Sequence, residues 1–372
     1  MKSQFDDRIA RARAELDNED IDALLVTTAE NRRYLSGFTG EDGGVNESAG
    51  ALLITRDRLL LLTDSRFTLQ AREEAVGYDI HQVRQGFAKE LPPMLKQLNA
   101  RCLGFEAERM PHAEYLKIMD QLAADYVGVT LKPVDARLAD VRIKKEKKEI
   151  ETMRRALEIS EAAFEAFISH DLKNGITETR AAWLLEKRLR EAGAEAMAFP
   201  IIAAFGENSA RPHAVCGDRT LSDGLPVLFD WGARLNGYCA DISRSFMKGR
   251  GDDTYRKVHR TVYEAQQLAI EAVRPGISAR EVDAVARQHI ERAGYQDRFG
   301  HGLGHGVGLA VHESPRVSPL STGTLEEGMV FTVEPGIYLA GWGGVRIENM
   351  VVVRADGAEV LNQSDGQVPE RI

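Results

Sequence analysis

Two aspartates interrupt an otherwise apolar hairpin pattern in FDWGARLNGYCADISRSF, residues 229–246. The Asn-Gly pair at 236–237 lies between strand-like flanks and predicts a two-residue type I′ turn. The register of that turn sets Asp230 opposite Ser243 and makes Asp230 and Asp241 diagonal neighbours on one face, with backbones roughly 7 Å apart. Two buried carboxylates would repel each other and lose hydration unless protons or cations hold them. The segment therefore indicates a metal site, with a solvated acidic hairpin face as the alternative.

Three histidines fall within FGHGLGHGVGLAVHE, residues 299–313. Glycine at every second position of 302–308 would cost a helix roughly 1 kcal/mol each time, so His301 and His305 are not a helical zinc pair. In an extended chain these two residues share a face but lie roughly 13 Å apart, and at most one can bind a given metal. The glycines predict the close approach of another backbone. A structural hydrogen-bonding role is the alternative for any single histidine. Because His312 is the third histidine within twelve residues, a functional site is favoured over that alternative.

Two glutamates occupy similar positions further along the chain. MVFTVEPGIY ends an apolar strand pattern on Glu334, and GGVRIENMVVV places Glu348 inside a Val/Ile run. Pairing with Arg346 is the alternative for Glu348. Four strand-borne carboxylates and one imidazole would balance two divalent cations in charge. An oxygen-rich set with one nitrogen suits Mn²⁺, Co²⁺, Fe²⁺ or Zn²⁺.

A weak internal repeat predicts the elements that position these acids. Residues 174–193 and 275–294 both contain a glycine turn, a Thr or Ser cap, a helical pattern and a closing glycine. The strands that follow also align, and two halves of related structure are therefore expected. The alignment sets acid on acid twice: Asp230 on Glu334, and Asp241 on Glu348.

Length and charge limit the function classes. A chain of 372 residues predicts two domains, which we place at 1–138 and 139–372. The first alternates amphipathic helical pieces with short strand patterns, which is typical of an α/β domain. The net charge of −9 argues against a nucleic-acid surface. The run KKEKKE at 144–149 is interpreted as a solvated helix face rather than a nucleic-acid patch.

Neither export nor membrane insertion is predicted. The segment KSQFDDRIARARAEL carries acids where a secretory signal needs an apolar core, and no run approaches the roughly 18 apolar residues of a membrane span. Cys102, Cys216 and Cys239 have no paired spacing and are interpreted as reduced thiols. We therefore expect a cytoplasmic protein without a membrane or nucleic-acid partner.

The order of these segments resembles that of the pita-bread metallopeptidases, and within them the Xaa-Pro aminopeptidases (aminopeptidase P) and prolidases. The resemblance covers roughly residues 140–365, while NRRYLSGFTG and LLTDSRFTLQA are similar to the N-terminal domain shared with creatinase. It implies an α/β (α+β) chain in which a creatinase-like N-terminal domain precedes a pseudo-twofold pita-bread catalytic domain. It also implies a dinuclear site, bridged by Asp241 and Glu348, with these ligands: Asp230, Asp241, His305, Glu334 and Glu348.

The resemblance further implies the chemistry of the metals. Two divalent cations, Mn²⁺ foremost with Co²⁺, Zn²⁺ or Fe²⁺ as alternatives, would share a water molecule and lower its pKa towards about 7. Glu334 is the candidate to take the water proton and pass it to the leaving amine. Arg346 is expected to orient the bridging Glu348.

Histidines and aromatic residues are the candidates for substrate binding. By the resemblance, His213 and His312 hold the substrate carbonyls and the developing oxyanion, and His301 forms a wall of the pocket. A loop-capping role is the alternative for His213. Tyr338 and Trp342 are expected either to line the pocket or to pack in the core.

We expect an Xaa-Pro aminopeptidase that acts on peptides with proline at the second position, with a dipeptide-specific prolidase as the alternative. A prolidase needs a cation to pair with the carboxylate of its substrate. The motif strands offer no surplus arginine beyond Arg346, which Glu348 is expected to claim, although Arg244 or Arg211 could serve. Remote alternatives are a non-catalytic binding protein of the same fold and the metal-free creatinases.

The resemblance also bears on assembly. In similar enzymes the N-terminal region approaches the active site of a partner subunit, so a homodimer or higher homo-oligomer is expected. GFTGEDGGVNESAGALLIT is longer than the corresponding connection in the family, and its extra residues, 41–48, have no assigned role.

Overall fold

The computed structural model describes residues 5–44, 47–124, 128–134, 141–249 and 252–364. The chain divides into two compact units, Met1–Arg142 and Ile143–Ile372. The predicted domain boundary after residue 138 lies outside the described residues. Each unit has its own apolar core.

The first unit is built on a six-stranded sheet. Its strands are β1 (Ala23–Val26), β2 (Ala51–Thr55), β3 (Leu59–Thr63), β4 (Asp79–Gln82), β5 (Cys102–Phe105) and β6 (Thr130–Pro133). Its helices are α1 (Asp6–Asn18), α2 (Ala29–Ser36), α3 (Thr68–Glu74), α4 (Phe87–Gln97) and α5 (His112–Ala124). The strand order is β4-β3-β2-β1-β5-β6. Strands β1, β2 and β3 pair antiparallel and the other neighbours pair parallel, which confirms the mixed α/β expectation.

Arg32 organises the NRRYLSGFTG segment of the first unit. Its side chain is fully buried and donates to the carbonyl oxygens of Gly40 (2.7 Å) and Gly50 (2.8 Å). It also forms an ion pair with Asp42 Oδ1 at 2.9 Å. A buried guanidinium needs such partners, and these three lie at both ends of the 41–48 stretch. Residues 45 and 46 are outside the described residues.

The second unit contains the predicted repeat. Its helices are α6 (Lys147–His170), α7 (Glu178–Glu191), α8 (Asp253–Ala272) and α9 (Ala279–Arg292). Helices α7 and α9 have 14 residues each, and the side chains of Thr177 and Ser278 accept hydrogen bonds from first-turn N–H groups. Gly175 and Gly276 precede these caps with φ values of 86° and 85°, a region that favours glycine. The repeat is therefore confirmed at the level of its helices.

The strands of the second unit form several small sheets. They are β7 (Ala196–Met197), β8 (Ile202–Phe205), β9 (Pro226–Trp231), β10 (Ala233–Leu235), β11 (Tyr238–Cys239), β12 (Ile242–Met247), β13 (Gly304–Gly306), β14 (Glu313–Val317), β15 (Val330–Val333), β16 (Gly336–Leu339), β17 (Gly343–Arg346), β18 (Asn349–Arg354) and β19 (Gly357–Val360). The sheet orders are β11-β10-β7, β12-β9-β8, β14-β13-β15-β18-β19 and β16-β17. A 3₁₀ helix, Gly206–Ala210, follows β8.

The first hairpin, residues 226–247, has the predicted turn and register. Asn236 and Gly237 have φ values of 47° and 81°, as a type I′ turn requires. Asp230 on β9 lies directly opposite Ser243 on β12. The register predicted from the Asn-Gly pair is therefore confirmed next to the turn and again at Asp230.

Both acidic hairpins are interrupted in the middle. In the first, the ladder breaks at Gly232, where a Cβ atom would lie 1.8 Å from the Ala240 carbonyl oxygen. In the second, residues 330–354, the breaks fall at 334–335 and 347–348. Asp241, Glu334 and Glu348 lie at these interruptions, whereas Asp230 stays paired with Ser243.

The charged run at 144–149 differs from the predicted solvated helix face. Lys145 is buried, and its Nζ donates to Glu313 Oε1 at 2.5 Å. Glu149 is also buried and accepts a hydrogen bond from the Tyr238 hydroxyl at 2.7 Å. Charges in an apolar environment require partners of this kind. The interpretation is wrong for these two residues, whose side chains connect the start of α6 to Glu313 on β14 and to Tyr238 on β11.

Candidate metal centre

Four carboxylates lie at or near the hairpin interruptions. Asp230 belongs to β9, and Asp241 lies between β11 and β12. Glu334 follows β15, and Glu348 lies between β17 and β18. Asp241 and Glu348 are buried, and the side chains of Asp230 and Glu334 are only 14% and 15% exposed. The charges of Asp230, Glu334 and Glu348 all raise the pKa of Asp241, so the four carboxylates share one site.

His305 brings an imidazole to the carboxylates from β13. Its Nε2 lies 3.3 Å from Glu334 Oε1 and 3.6 Å from Asp241 Oδ2. Its Nδ1 lies 3.1 Å from the Gly306 carbonyl oxygen. An Nδ1–H that donates there leaves Nε2 as the ligand atom. Asp241, His305 and Glu348 each offer a ligand atom within 4.8 Å of the others, which is compact enough for a metal ion.

Glycine allows β13 to approach its neighbours. A Cβ atom on Gly304 would lie 1.8 Å from the Thr332 carbonyl oxygen, and one on Gly306 would lie 2.1 Å from the Ser314 carbonyl oxygen. These distances confirm the predicted close approach of other backbones. The backbone N–H of His305 also donates to Thr332 Oγ1 at 3.1 Å. The glycines therefore hold His305 against the strand that leads to Glu334.

Burial and mutual repulsion dominate the electrostatics of the site. Burial, followed by the charges of neighbouring carboxylates, raises the pKa of Asp241 and of Glu348 well above the ordinary range. Burial also disfavours the charged forms of Glu334 and His305. Their hydrogen bond and opposite charges outweigh that effect, lowering the pKa of Glu334 to about 2 and raising that of His305 to about 9. Burial and like charge thus disfavour the fully ionised cluster unless cations are bound.

The donor set fits divalent metal ions. Four carboxylates gather around one imidazole, and Arg346 supplies a compensating positive charge. Within the described residues, Asp230 Oδ1 is buried without a hydrogen-bond partner. Such an acceptor is costly unless something fills it. Oxygen ligands with one nitrogen match the preferences of Mn²⁺, Co²⁺, Fe²⁺ and Zn²⁺.

Arg346 pairs with a different carboxylate from the expected one. Its Nη2 donates to Asp230 Oδ2 at 2.6 Å, and its Nε donates to Ser243 Oγ at 2.7 Å. Ser243 Oγ donates in turn to Glu348 Oε2 at 2.8 Å. The expectation that Glu348 claims Arg346 is therefore wrong, because Ser243 lies between them. The hydroxyl sits opposite Asp230 in the predicted register, and that register is the signal by which it could have been found.

Three histidines surround the carboxylates. The rings of His312 and His305 lie 4.3 Å apart at 64°. Burial is the main cause that lowers the pKa of both His301 and His312, and the charge of His213 contributes to each shift. His213 itself is exposed on the segment after the 3₁₀ helix. Pro212 precedes His213, and its carbonyl oxygen accepts a hydrogen bond from Arg346 Nη1 at 3.0 Å. This contact connects the segment that bears His213 to the metal centre.

Tyr338 links the arginine to a histidine. Its hydroxyl accepts from Arg346 Nη1 at 3.0 Å and lies 2.9 Å from His301 Nε2. His301 Nδ1 lies 2.8 Å from the Gly302 carbonyl oxygen, which fixes the ring. Burial raises the pKa of Tyr338 to about 12. Of the two aromatic candidates only Tyr338 contacts the centre in the described structure, since Trp342 packs against the apolar core.

Arg316 is a cation that the sequence analysis missed. It lies on β14 directly opposite His305 on β13, and opposed residues of an antiparallel pair share a face. Its side chain is exposed and, among the described residues, forms no ion pair. Arg244 is buried and donates to Asn349 Oδ1 at 3.0 Å, while Arg211 donates to Asn208 Oδ1 at 3.1 Å. Arg316 lies just beyond the 299–313 segment, so the expectation of no surplus arginine in the motif strands did not take it into account.

Two family models match the chain. The model described as Metallopeptidase family M24 matches residues 151–355, and the model described as Creatinase/Prolidase N-terminal domain matches residues 8–144. Among the described helices, none combines the length and apolar composition needed to cross a membrane.

Known proteins are similar over nearly the whole chain. The solved structure of an Xaa-Pro dipeptidase from Bacillus anthracis shares 36% identity, with a TM-score of 0.90 over 97% of this chain and 98% of that one. The solved structure of an X-Pro aminopeptidase from Thermotoga maritima MSB8 shares 35% identity, with a TM-score of 0.85 over 98% of this chain and 100% of that one. The Xaa-Pro dipeptidase of Pyrococcus furiosus is 35% identical over 95% of this chain and 97% of its own length.

Proposed function

The chain belongs to metallopeptidase family M24, with a creatinase-like N-terminal domain before the pita-bread domain, and on that premise we propose that it is an Xaa-Pro dipeptidase. Its substrates would be dipeptides with proline as the second residue. This proposal replaces the expectation of an aminopeptidase. Relatives named as Xaa-Pro dipeptidases support it, although a similar structure is named as an X-Pro aminopeptidase.

The observation that carries the choice is the position of Arg316. A dipeptide ends in a carboxylate directly after proline, and a longer peptide has an amide there. A guanidinium binds a carboxylate by paired charge-assisted hydrogen bonds. Arg316 lies opposite His305, one of the predicted ligands, on the same face of the sheet, and its side chain is exposed. The Arg316 guanidinium would therefore favour binding of a dipeptide over binding of a longer peptide.

The five predicted ligands, Asp230, Asp241, His305, Glu334 and Glu348, are the residues that would hold two divalent cations, with Mn²⁺ foremost. Such ions supply Lewis-acid chemistry that lowers the pKa of a water molecule and polarises the scissile carbonyl. Arg346 would keep Asp230 in place through its contact at 2.6 Å. Ser243 would do the same for Glu348 at 2.8 Å.

Glu334 is suited to carry the proton. Its Oε1 faces His305 at 3.3 Å, whereas its Oε2 lies 3.9 Å from Arg346 Nε, which is beyond hydrogen-bond distance. Oε2 therefore has the capacity to accept a proton from water and to deliver it to the prolyl nitrogen as that nitrogen leaves.

The histidines are suited to bind the substrate carbonyl. The amide before proline has no N–H, so recognition must rely on carbonyl groups and on the shape of the ring. His312 and His213 would donate to the carbonyl oxygen as charge develops on it. His301 would form the pocket wall, with its orientation held by Tyr338 and Gly302. Assembly as a homodimer or higher homo-oligomer and cytoplasmic localisation stay predictions.

Product analysis on Mn²⁺-loaded protein tests this proposal. We expect kcat/KM for Ala-Pro to exceed that for Ala-Pro-Ala by roughly tenfold or more, because a charge-assisted contact is worth about 1.5–3 kcal/mol. Release of alanine from the tripeptide with the dipeptide left intact would identify an aminopeptidase instead. No hydrolysis of either peptide would favour a non-catalytic binding protein.

A further inference from the structure

Glu178 is a buried carboxylate that lies outside the metal centre. It is the first residue of α7 and is only 1% exposed. Its Oε1 accepts from the Phe205 backbone N–H at 2.8 Å. Its Oε2 accepts from Asn208 Nδ2 and from the Gly217 backbone N–H, both at 2.9 Å. Within the described residues it has no cationic partner, so hydrogen-bond donors and the positive end of α7 stabilise its charge.

The three donors come from the two ends of one segment. We call residues 205–217 the His213 loop, because that histidine lies within it. Glu178 binds the start of the loop at Phe205 and its end at Gly217. Asn208 extends the contact, since its Nδ2 also donates to the Val215 carbonyl oxygen at 3.2 Å. From the other side, Arg346 holds the loop through Pro212. The loop is thus fixed between a helix terminus and the metal centre.

The second half of the repeat has a related arrangement at a different position of its helix. On α9, the buried Asp283 accepts from the Leu303 backbone N–H at 3.0 Å and forms an ion pair with Arg287. Arg287 donates to the carbonyl oxygens of Phe299 (2.7 Å) and His301 (2.8 Å). Each of the related helices therefore carries a buried carboxylate that holds the segment bearing a histidine of the pocket.

We infer that Glu178 is a positioning residue for His213, a role that rests on the proposed function of that histidine in substrate binding. A carboxylate is required because all three of its partners are N–H donors, which an amide could not all satisfy. A small displacement of a group that contacts the reacting carbonyl lowers the rate of hydrolysis strongly. Loss of the carboxylate would therefore impair hydrolysis through His213 without removing a metal ligand.

Glu178→Gln tests the inference, because it keeps the shape of the side chain and turns one acceptor into a donor. We expect kcat/KM for Ala-Pro to fall about tenfold, with the same Mn²⁺ content per chain as the wild type. Glu186→Gln, an identical change at a half-exposed position of α7, should leave kcat/KM unchanged. In a His213→Ala background, Glu178→Gln should change kcat/KM by less than about twofold, since the two residues act on one contact.

The double-mutant cycle separates positioning from a general structural role. An equal loss in the wild-type and His213→Ala backgrounds would overturn the inference, and so would unchanged kcat/KM in Glu178→Gln. If wild-type protein cleaves Ala-Pro-Ala and not Ala-Pro, the dipeptidase proposal fails, and the same cycle run on the tripeptide still decides the inference. Should Glu178→Gln fail to fold, Asn208→Ala removes the link to Val215 and is expected to give the same dependence on His213.

Discussion

Arg346 Nη2 lies 2.6 Å from Asp230 Oδ2, although Glu348 is the carboxylate nearest to Arg346 in sequence. The two partners come from different hairpins, so this buried ion pair joins the two halves of the repeat. Breaking a buried pair leaves an uncompensated charge, which is far more costly than breaking an exposed pair. The stability of the metal-free centre should therefore depend on Arg346.

Arg346→Met should destabilise the metal-free protein by about 3 kcal/mol, because Asp230 loses its countercharge. The cost should shrink in the Mn²⁺-loaded protein, where cations take over that role. Midpoints of urea unfolding with and without Mn²⁺ give both values. Arg354→Met is the matched control, since Arg354 pairs with Glu359 at a half-exposed site and should cost at most about 1 kcal/mol. Equal costs for the two variants in metal-free protein would contradict the prediction.

Metal removal should abolish hydrolysis and lower the thermal midpoint. The clustered carboxylates repel one another without cations, and a ligand that binds only the folded state stabilises it. At a Mn²⁺ concentration of about 100 times Kd the gain should be about 2.7 kcal/mol. Scanning calorimetry of chelated and reloaded protein measures it. Full activity in rigorously metal-free protein would refute the proposed centre.

His305 and His301 should respond differently to truncation. His305→Ala removes the imidazole that faces Asp241 and Glu334, so the Mn²⁺ content per chain should fall. His301→Ala should retain the metal, because His301 Nε2 faces the Tyr338 hydroxyl. Elemental analysis after dialysis distinguishes the two variants. Metal loss in the His301 variant with normal content in the His305 variant would reverse the assignment.

Local rules made one part of the centre predictable from the sequence. An Asn-Gly pair permits few turn geometries, and that turn alone sets Asp230 opposite Ser243. Helix caps and glycine turns likewise defined α7 and α9 by short-range chemistry. The glycine pattern of 302–308 predicted an extended chain and the close approach of a neighbouring backbone. These features depend on residues near each other in sequence.

Contacts between distant segments were not predictable in the same way. Arg346 contacts Asp230 across 116 residues, and Lys145 contacts Glu313 across 168. The sequence offered several partners for each charge, and only the packed fold decides among them. Arg316 was missed for a similar reason, because its position opposite His305 depends on the pairing of β13 with β14.

Gly304→Ala should destabilise the metal-free protein by roughly 2 kcal/mol or more, because backbone must move to admit the new methyl group. The Cβ would lie 1.8 Å from the Thr332 carbonyl oxygen. Gly300→Ala in the same segment is the control, since a Cβ there meets no atom within 4 Å. It should be neutral or slightly stabilising. Urea unfolding compares the two, and equal midpoints would show that the close approach is not required.

Arg316→Met should raise KM for Ala-Pro by roughly 10–100-fold, because a lost charge-assisted contact is worth about 1.5–3 kcal/mol. The same variant should cleave Ala-Pro-amide, which lacks the carboxylate, about as well as the wild type does. Arg316→Lys should recover part of the loss, since it keeps the charge without the paired geometry. Arg280→Met, an exposed change on α9, serves as the control. An equal increase in KM for Ala-Pro and for Ala-Pro-amide would mean that Arg316 does not bind the substrate carboxylate. The preference for dipeptides would then need another cause.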